Sequence, residues 1–153
     1  MSDDKNVKAV KNAYLAYQDG NVPALLRGLT DNVWWFEIGP PDLIPTAGKR
    51  KGRKQVGEFF ATLDRSEEVQ ILIPQHFVAQ GNMVVVLGEL QSRVRATGGM
   101  INSPWVHVFT ISDGKISEFR SFYDTAAAVT AFEDIRTRMA RAEISGTLRP
   151  AIL

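Results

Sequence analysis

The stretch WVHVFTISDGKISEFRSFYD, residues 105–124, decides the fold. It reads as two strands joined at Asp113-Gly114, a dipeptide that accepts the positive φ angles of a tight hairpin turn. Side chains alternate faces along a strand, so Trp105, His107, Phe109 and Ile111 fall on one face. After the turn, the same alternation groups Phe119, Ser121 and Tyr123. An imidazole set into an aromatic wall is a candidate functional group, because burial and neighbours tune its proton affinity.

Upstream of the hairpin, residues 69–79, 83–94 and 100–111 are strand-like runs separated by Gly81-Asn82 and Gly98-Gly99. With residues 115–123 they form a four-strand antiparallel meander. Nearer the N-terminus, Val7, Val10, Tyr14 and Tyr17 draw one apolar stripe on a helix over residues 3–18. Gly20-Asn21 ends it, and Pro23 suits the first turn of a short helix reaching Leu29. Asp31-Asn32 breaks the pattern before a strand at 33–38, residues 39–53 read as a loop, and Val56, Phe59, Phe60 and Leu63 mark a helix over 54–63. Asp124 is placed to cap a last helix over 126–142 that carries Arg136, Arg138 and Arg141 on its outer face. Residues 1–153 are expected to form a single domain, with 133–153 as a C-terminal helix and tail extension and 146–153 as the tail proper. Helices followed by a meander predict an α+β fold.

Composition narrows the function classes. The chain has 153 residues, enough for one domain with a substantial core, and is 44% hydrophobic and 23% charged. A net charge of +1 gives no general attraction to nucleic acid or an anionic membrane. The absence of cysteine excludes disulfides, thiolate nucleophiles and cysteine-ligated metals. The charged start MSDDKN does not read as a secretory signal, and no apolar run nears the roughly 20 residues that span a bilayer, so a cytoplasmic protein is expected. His76 and His107 are the only histidines and lie far apart in sequence, so no metal site is expected.

Three segments, DNVWW at 31–35, AGKRKGR at 47–53 and WVHVFTISDGK at 105–115, carry a family resemblance. Together with the order of elements from Val7 to Phe132, they resemble the nuclear transport factor 2-like, or SnoaL-like, superfamily. That superfamily includes ketosteroid isomerase, limonene epoxide hydrolase and polyketide cyclases. The resemblance implies a cone-shaped fold of cystatin-like topology, with N-terminal helices packed on a strongly bent antiparallel sheet. It also implies a deep apolar pocket and a homodimer. Because the fold hosts many unrelated chemistries, it implies an activity less sharply than a shape.

Carried over residue by residue, the resemblance places His107 at the isomerase's oxyanion position on the penultimate strand. The isomerase's general base falls near Glu37, and its oxyanion tyrosine lands at Ala13, next to Tyr14. The epoxide hydrolase pattern departs: Ser121 stands where its catalytic carboxylate belongs, and its Arg-x-Asp pair has no counterpart near Gly88–Gln91.

The candidate catalytic residues are therefore His107 and Glu37. A neutral imidazole donates a hydrogen bond to a developing enolate, and a glutamate in an apolar cavity has a proton affinity raised toward a useful base. Trp35, Trp105, Phe119, Ser121, Tyr123 and Tyr14 are the candidate substrate-binding residues. Each of them, taken singly, is also explained by plain core packing. Arg120 reads as an ion-pair partner, Asp124 as a helix cap, and residues 49–54 as a solvated basic loop. The expected function is a cofactor-independent isomerase, cyclase or lyase acting on a small hydrophobic carbonyl compound, without nucleic-acid or membrane partners. The alternatives are a non-catalytic protein that binds a hydrophobic ligand, or an epoxide hydrolase-like enzyme whose catalytic set has changed.

Overall fold

Asp113 and Gly114 take positive φ angles of 49° and 79°, folding residues 105–124 into the hairpin that their sequence predicts. The computed structural model describes residues 3–145; the tail expected at 146–153 lies outside them. The described residues form six strands: β1 (Leu29–Glu37), β2 (Gly48–Lys51), β3 (Glu67–Gln80), β4 (Met83–Val94), β5 (Met100–Ser112) and β6 (Lys115–Tyr123). They form one sheet in the order β2-β1-β6-β5-β4-β3. The β3–β6 meander is antiparallel throughout, whereas β1 lies parallel to β6. The sheet is therefore mixed. A parallel pair needs a long crossover, and everything between residues 37 and 115 supplies it.

Helices α1 (Asp3–Gln18), α2 (Val22–Arg27) and α3 (Gly52–Ser66) pack on one face of this sheet. Val10, Tyr14, Leu25, Val56 and Phe59 from the helices join Trp35, Val86, Trp105, Phe109 and Phe119 from the strands in the main core. Edge strand β3 shifts register between Val69 and Ile71 and again between Pro74 and His76. Such irregularities bend a strand, and an edge is where a proline does least harm to the ladder.

Three local expectations are corrected. Asp31-Asn32 does not precede β1 but falls inside it, where the register against β6 shifts between Leu29 and Trp34. The basic run is not simply a solvated loop. Lys49 and Lys51 of β2 lie 5.1 and 4.9 Å from the ring centres of Phe36 and Trp34, and the Arg50 guanidinium lies 4.9 Å from that of Phe59. Arg53 binds the Leu29 carbonyl at 2.6 and 3.0 Å and pairs with Asp31 at 3.0 Å. Finally, the last helix is two: α4 (Thr125–Phe132) and α5 (Ile135–Ser145). Glu133 is extended, and the Asp134 side chain accepts the Thr137 amide hydrogen bond at 2.7 Å to start the second. Asp124 caps α4 through Ala127 N at 3.0 Å, and Arg120 pairs with Glu118 at 3.6 Å, both as their sequence context predicts.

Among the described residues, no helix is long and apolar enough to cross a membrane.

Candidate functional site

Strand pairing builds the site in rows. Glu37 of β1 pairs with Ser121 of β6, which pairs with His107 of β5. One row along, Trp35 pairs with Phe119 and Phe119 with Phe109. One row the other way, Tyr123 pairs with Trp105. Paired positions point to the same side of a sheet, so these eight side chains converge beneath α1 and α3. They line a cavity of about 120 Å³, with Tyr14 of α1 opposite. All eight site residues singled out from sequence are thus brought to one place.

Close packing holds the walls. Trp105 stacks on the His107 ring and Trp35 on Phe119, each at 3.9 Å between ring centres. Trp105 also lies over Gly88: a Cβ built there would stand 2.2 Å from the indole and 2.3 Å from the Ile73 carbonyl. A side chain at 88 would displace the residue that supports His107.

The Tyr14 hydroxyl and His107 Nδ1 are 2.7 Å apart and share a buried hydrogen bond. Burial pushes His107 down to about 3, so its ring is neutral across the physiological range. Burial likewise raises Tyr14, which keeps its proton. Between them the pair holds two donor hydrogens and uses one in the mutual bond. Either tautomer therefore leaves one donor, His107 Nε2–H or Tyr14 O–H, for a ligand oxygen. Sequence carry-over placed the tyrosine at Ala13; Ala13 lines the cavity too, but Tyr14 supplies the hydroxyl.

Glu37 is half-buried and lines the cavity. Burial pushes it up to about 8, against the opposing pull of the Ser121 hydroxyl and the Arg50 charge. Such a carboxyl is protonated at neutral pH and becomes a base just above it. Tyr123 is raised by burial and by the nearby charges of Glu37 and Glu67.

Sequence reasoning missed part of the lining. Phe59, Phe60 and Leu63 were read only as a helix face, although packing on the helix and lining the cavity are the same requirement here. Glu67 and Thr46 carried no periodic signal, and Glu67 sits two residues before the strand pattern becomes recognisable at residue 69. Among the described residues, no group of three or more His, Asp or Glu side chains is placed to hold a metal ion.

Residues 10–119 match the model of the SnoaL-like domain, and the chain belongs to that family. In structure it is similar to an NTF2-like protein from Burkholderia xenovorans LB400, at 28% identity and a TM-score of 0.80, covering 87% of this chain and 99% of the other. It is also similar to TerC, co-crystallised with polyporic acid, at 25% identity and a TM-score of 0.73, covering 85% and 99%. A protein from Jannaschia sp. CCS1, named as a candidate SnoaL-like polyketide cyclase, shares the fold at 24% identity and a TM-score of 0.70, covering 85% and 92%. Comparison with curated proteins gives no match.

Proposed function

We propose that the chain is an acid–base enzyme of the isomerase, cyclase or lyase kind, acting on a small hydrophobic carbonyl compound. Glu37 removes a proton from the carbon next to the carbonyl. The Tyr14–His107 pair donates its free hydrogen to the oxygen as negative charge develops there. The observation that carries this reading is the Glu37–Ser121–His107 row. Adjacent strands are spaced by about 4.8 Å, so the two backbones stand roughly 10 Å apart with their side chains aimed into one apolar space. A carbonyl compound fits between, its α-carbon toward Glu37 and its oxygen toward His107.

The aromatic walls suit a flat ligand, and the co-crystallised ligand of the similar TerC structure supports looking among aromatic compounds first. A thermal-shift screen of steroids, terpenoid ketones and aromatic polyketide mimics tests the reading, since a ligand of the folded state raises its melting temperature. Hits whose effect shrinks in His107→Ala are expected. A panel that shifts neither protein would count against the cavity as a ligand site.

The proposal extends to a homodimer. On the outer face of the sheet, Leu87, Val106 and Phe122 form one cross-strand row, with Leu87 40% and Phe122 39% exposed; Trp34, 47% exposed, lies on the same face beside Glu118. An exposed apolar row of this kind is what a second copy would cover.

A further inference from the structure

Glu67 is a second carboxyl in the wall of the same cavity, and the reaction above leaves it without a task. It opens β3, is 6% exposed, and accepts a hydrogen bond at Oε1 from the Ser92 hydroxyl, 2.8 Å away. Ser92 itself is fully buried on β4. A buried carboxyl costs stability unless its acceptor positions are used, and one hydroxyl occupies one of several.

Its location is particular. Tyr17, Phe60, Leu63, Glu67, Val69 and Leu72 line both the cavity and an open groove along β3, so Glu67 stands where the two meet. It is near enough to Glu37 for its charge to hinder ionisation there. Among the described residues no lysine or arginine lines the cavity, although the Arg50 charge reaches Glu37 from outside the lining. The cavity therefore has two polar ends: the reacting end, where Glu37 faces the donors Tyr14 and His107, and the groove end, where Glu67 stands.

The sheet sets the span between these ends. His107 pairs with Val86 on β4, and Glu67 is held by Ser92, six residues further along that strand. That is roughly 20 Å along a straight strand, an upper limit on the gap because both side chains reach into the cavity between them.

Resting on the function proposed above, we propose that Glu67 is a specificity-determining residue of this cavity. Its free carboxyl oxygen takes the hydrogen of a hydroxyl or ammonium group at the end of the ligand remote from the reacting carbonyl. The substrate class is thereby narrowed to flat apolar carbonyl compounds with a hydrogen-bond donor at the far end.

Two ketones that differ by one O-methylation, which removes that donor, provide the test: 2-acetyl-6-hydroxynaphthalene and 2-acetyl-6-methoxynaphthalene, titrated by calorimetry. The native protein is expected to bind the hydroxy compound about tenfold more tightly, the scale of one hydrogen bond to a charged or buried carboxyl. Glu67→Leu should bring the two affinities to within about twofold, with the methoxy compound bound as before. Should that variant fail to fold, Ser92→Ala, which removes the partner fixing Oε1, is expected to reduce the preference in the same direction. Equal binding of both ketones by the native protein would overturn the role of Glu67 while leaving the cavity a ligand site. A hydroxyl preference that survives both substitutions would also overturn it. Binding of neither ketone would remove the ligand-site reading, and this inference with it.

Discussion

A glutamate that keeps its proton to about pH 8 and a histidine that stays neutral to about pH 3 pull the stability of the protein in opposite directions. Between 4.5 and about 8, folded Glu37 holds a proton that the unfolded chain has lost, so its contribution to stability falls as pH rises through that window. Between 6.5 and about 3, the unfolded chain protonates a histidine that the fold keeps neutral, so stability is lost as pH falls. Glu37→Gln should abolish the first slope and stabilise the protein at pH 9 by about 1–2 kcal/mol, measured by urea unfolding. No gain at pH 9 would mean that the carboxyl is solvated. Both residues were legible in the sequence, from the register of the 105–124 hairpin and from resemblance. The Tyr14 contact was not. A stripe of tyrosines on a helix indicates which face is buried, but the one-residue difference between Ala13 and Tyr14 depends on how the helix is rotated over the sheet.

At the scale of elements, the meander was readable because each turn carries a residue suited to positive φ: Gly81, Gly98, Asp113 and Gly114. Strand β2 was not, because four residues of Gly, Lys and Arg have no strand pattern of their own and are held by pairing with β1. Gly88 was equally silent, since its importance lies in the Trp105 indole placed against it. Gly88→Ala is expected to destabilise the fold by about 2–3 kcal/mol and to weaken any ligand that Glu37→Gln leaves bound, as unfolding curves and titration would show. A neutral effect would mean that Trp105 is not packed there. Asp124→Ala should cost about 1 kcal/mol through the lost α4 cap, with the unfolding midpoint as the readout, and should leave the cavity unchanged.

For the whole molecule, one face of the sheet meets helices and encloses the cavity, while the other exposes Trp34, Leu87 and Phe122. Light scattering after gel filtration is expected to give twice the chain mass for the native protein and a monomer for Leu87→Lys, because a charge in an apolar interface has no partner. A native monomer would leave that face without an assigned role. The α+β architecture and the SnoaL-like family were both visible from the order of elements. The parallel β1–β6 contact was not, since nothing in either strand states which distant partner it will choose. On the function proposed above, this architecture sets a base and an oxyanion donor across one ketone-sized space. Exchange of the acetyl protons of 2-acetyl-6-hydroxynaphthalene in D2O, followed by proton NMR, tests it directly. The native protein should speed exchange above the buffer rate, increasingly as pH passes about 8, with Glu37→Gln and His107→Ala each lowering it about 100-fold or more. Ketone that binds but exchanges no faster than in buffer would contradict it.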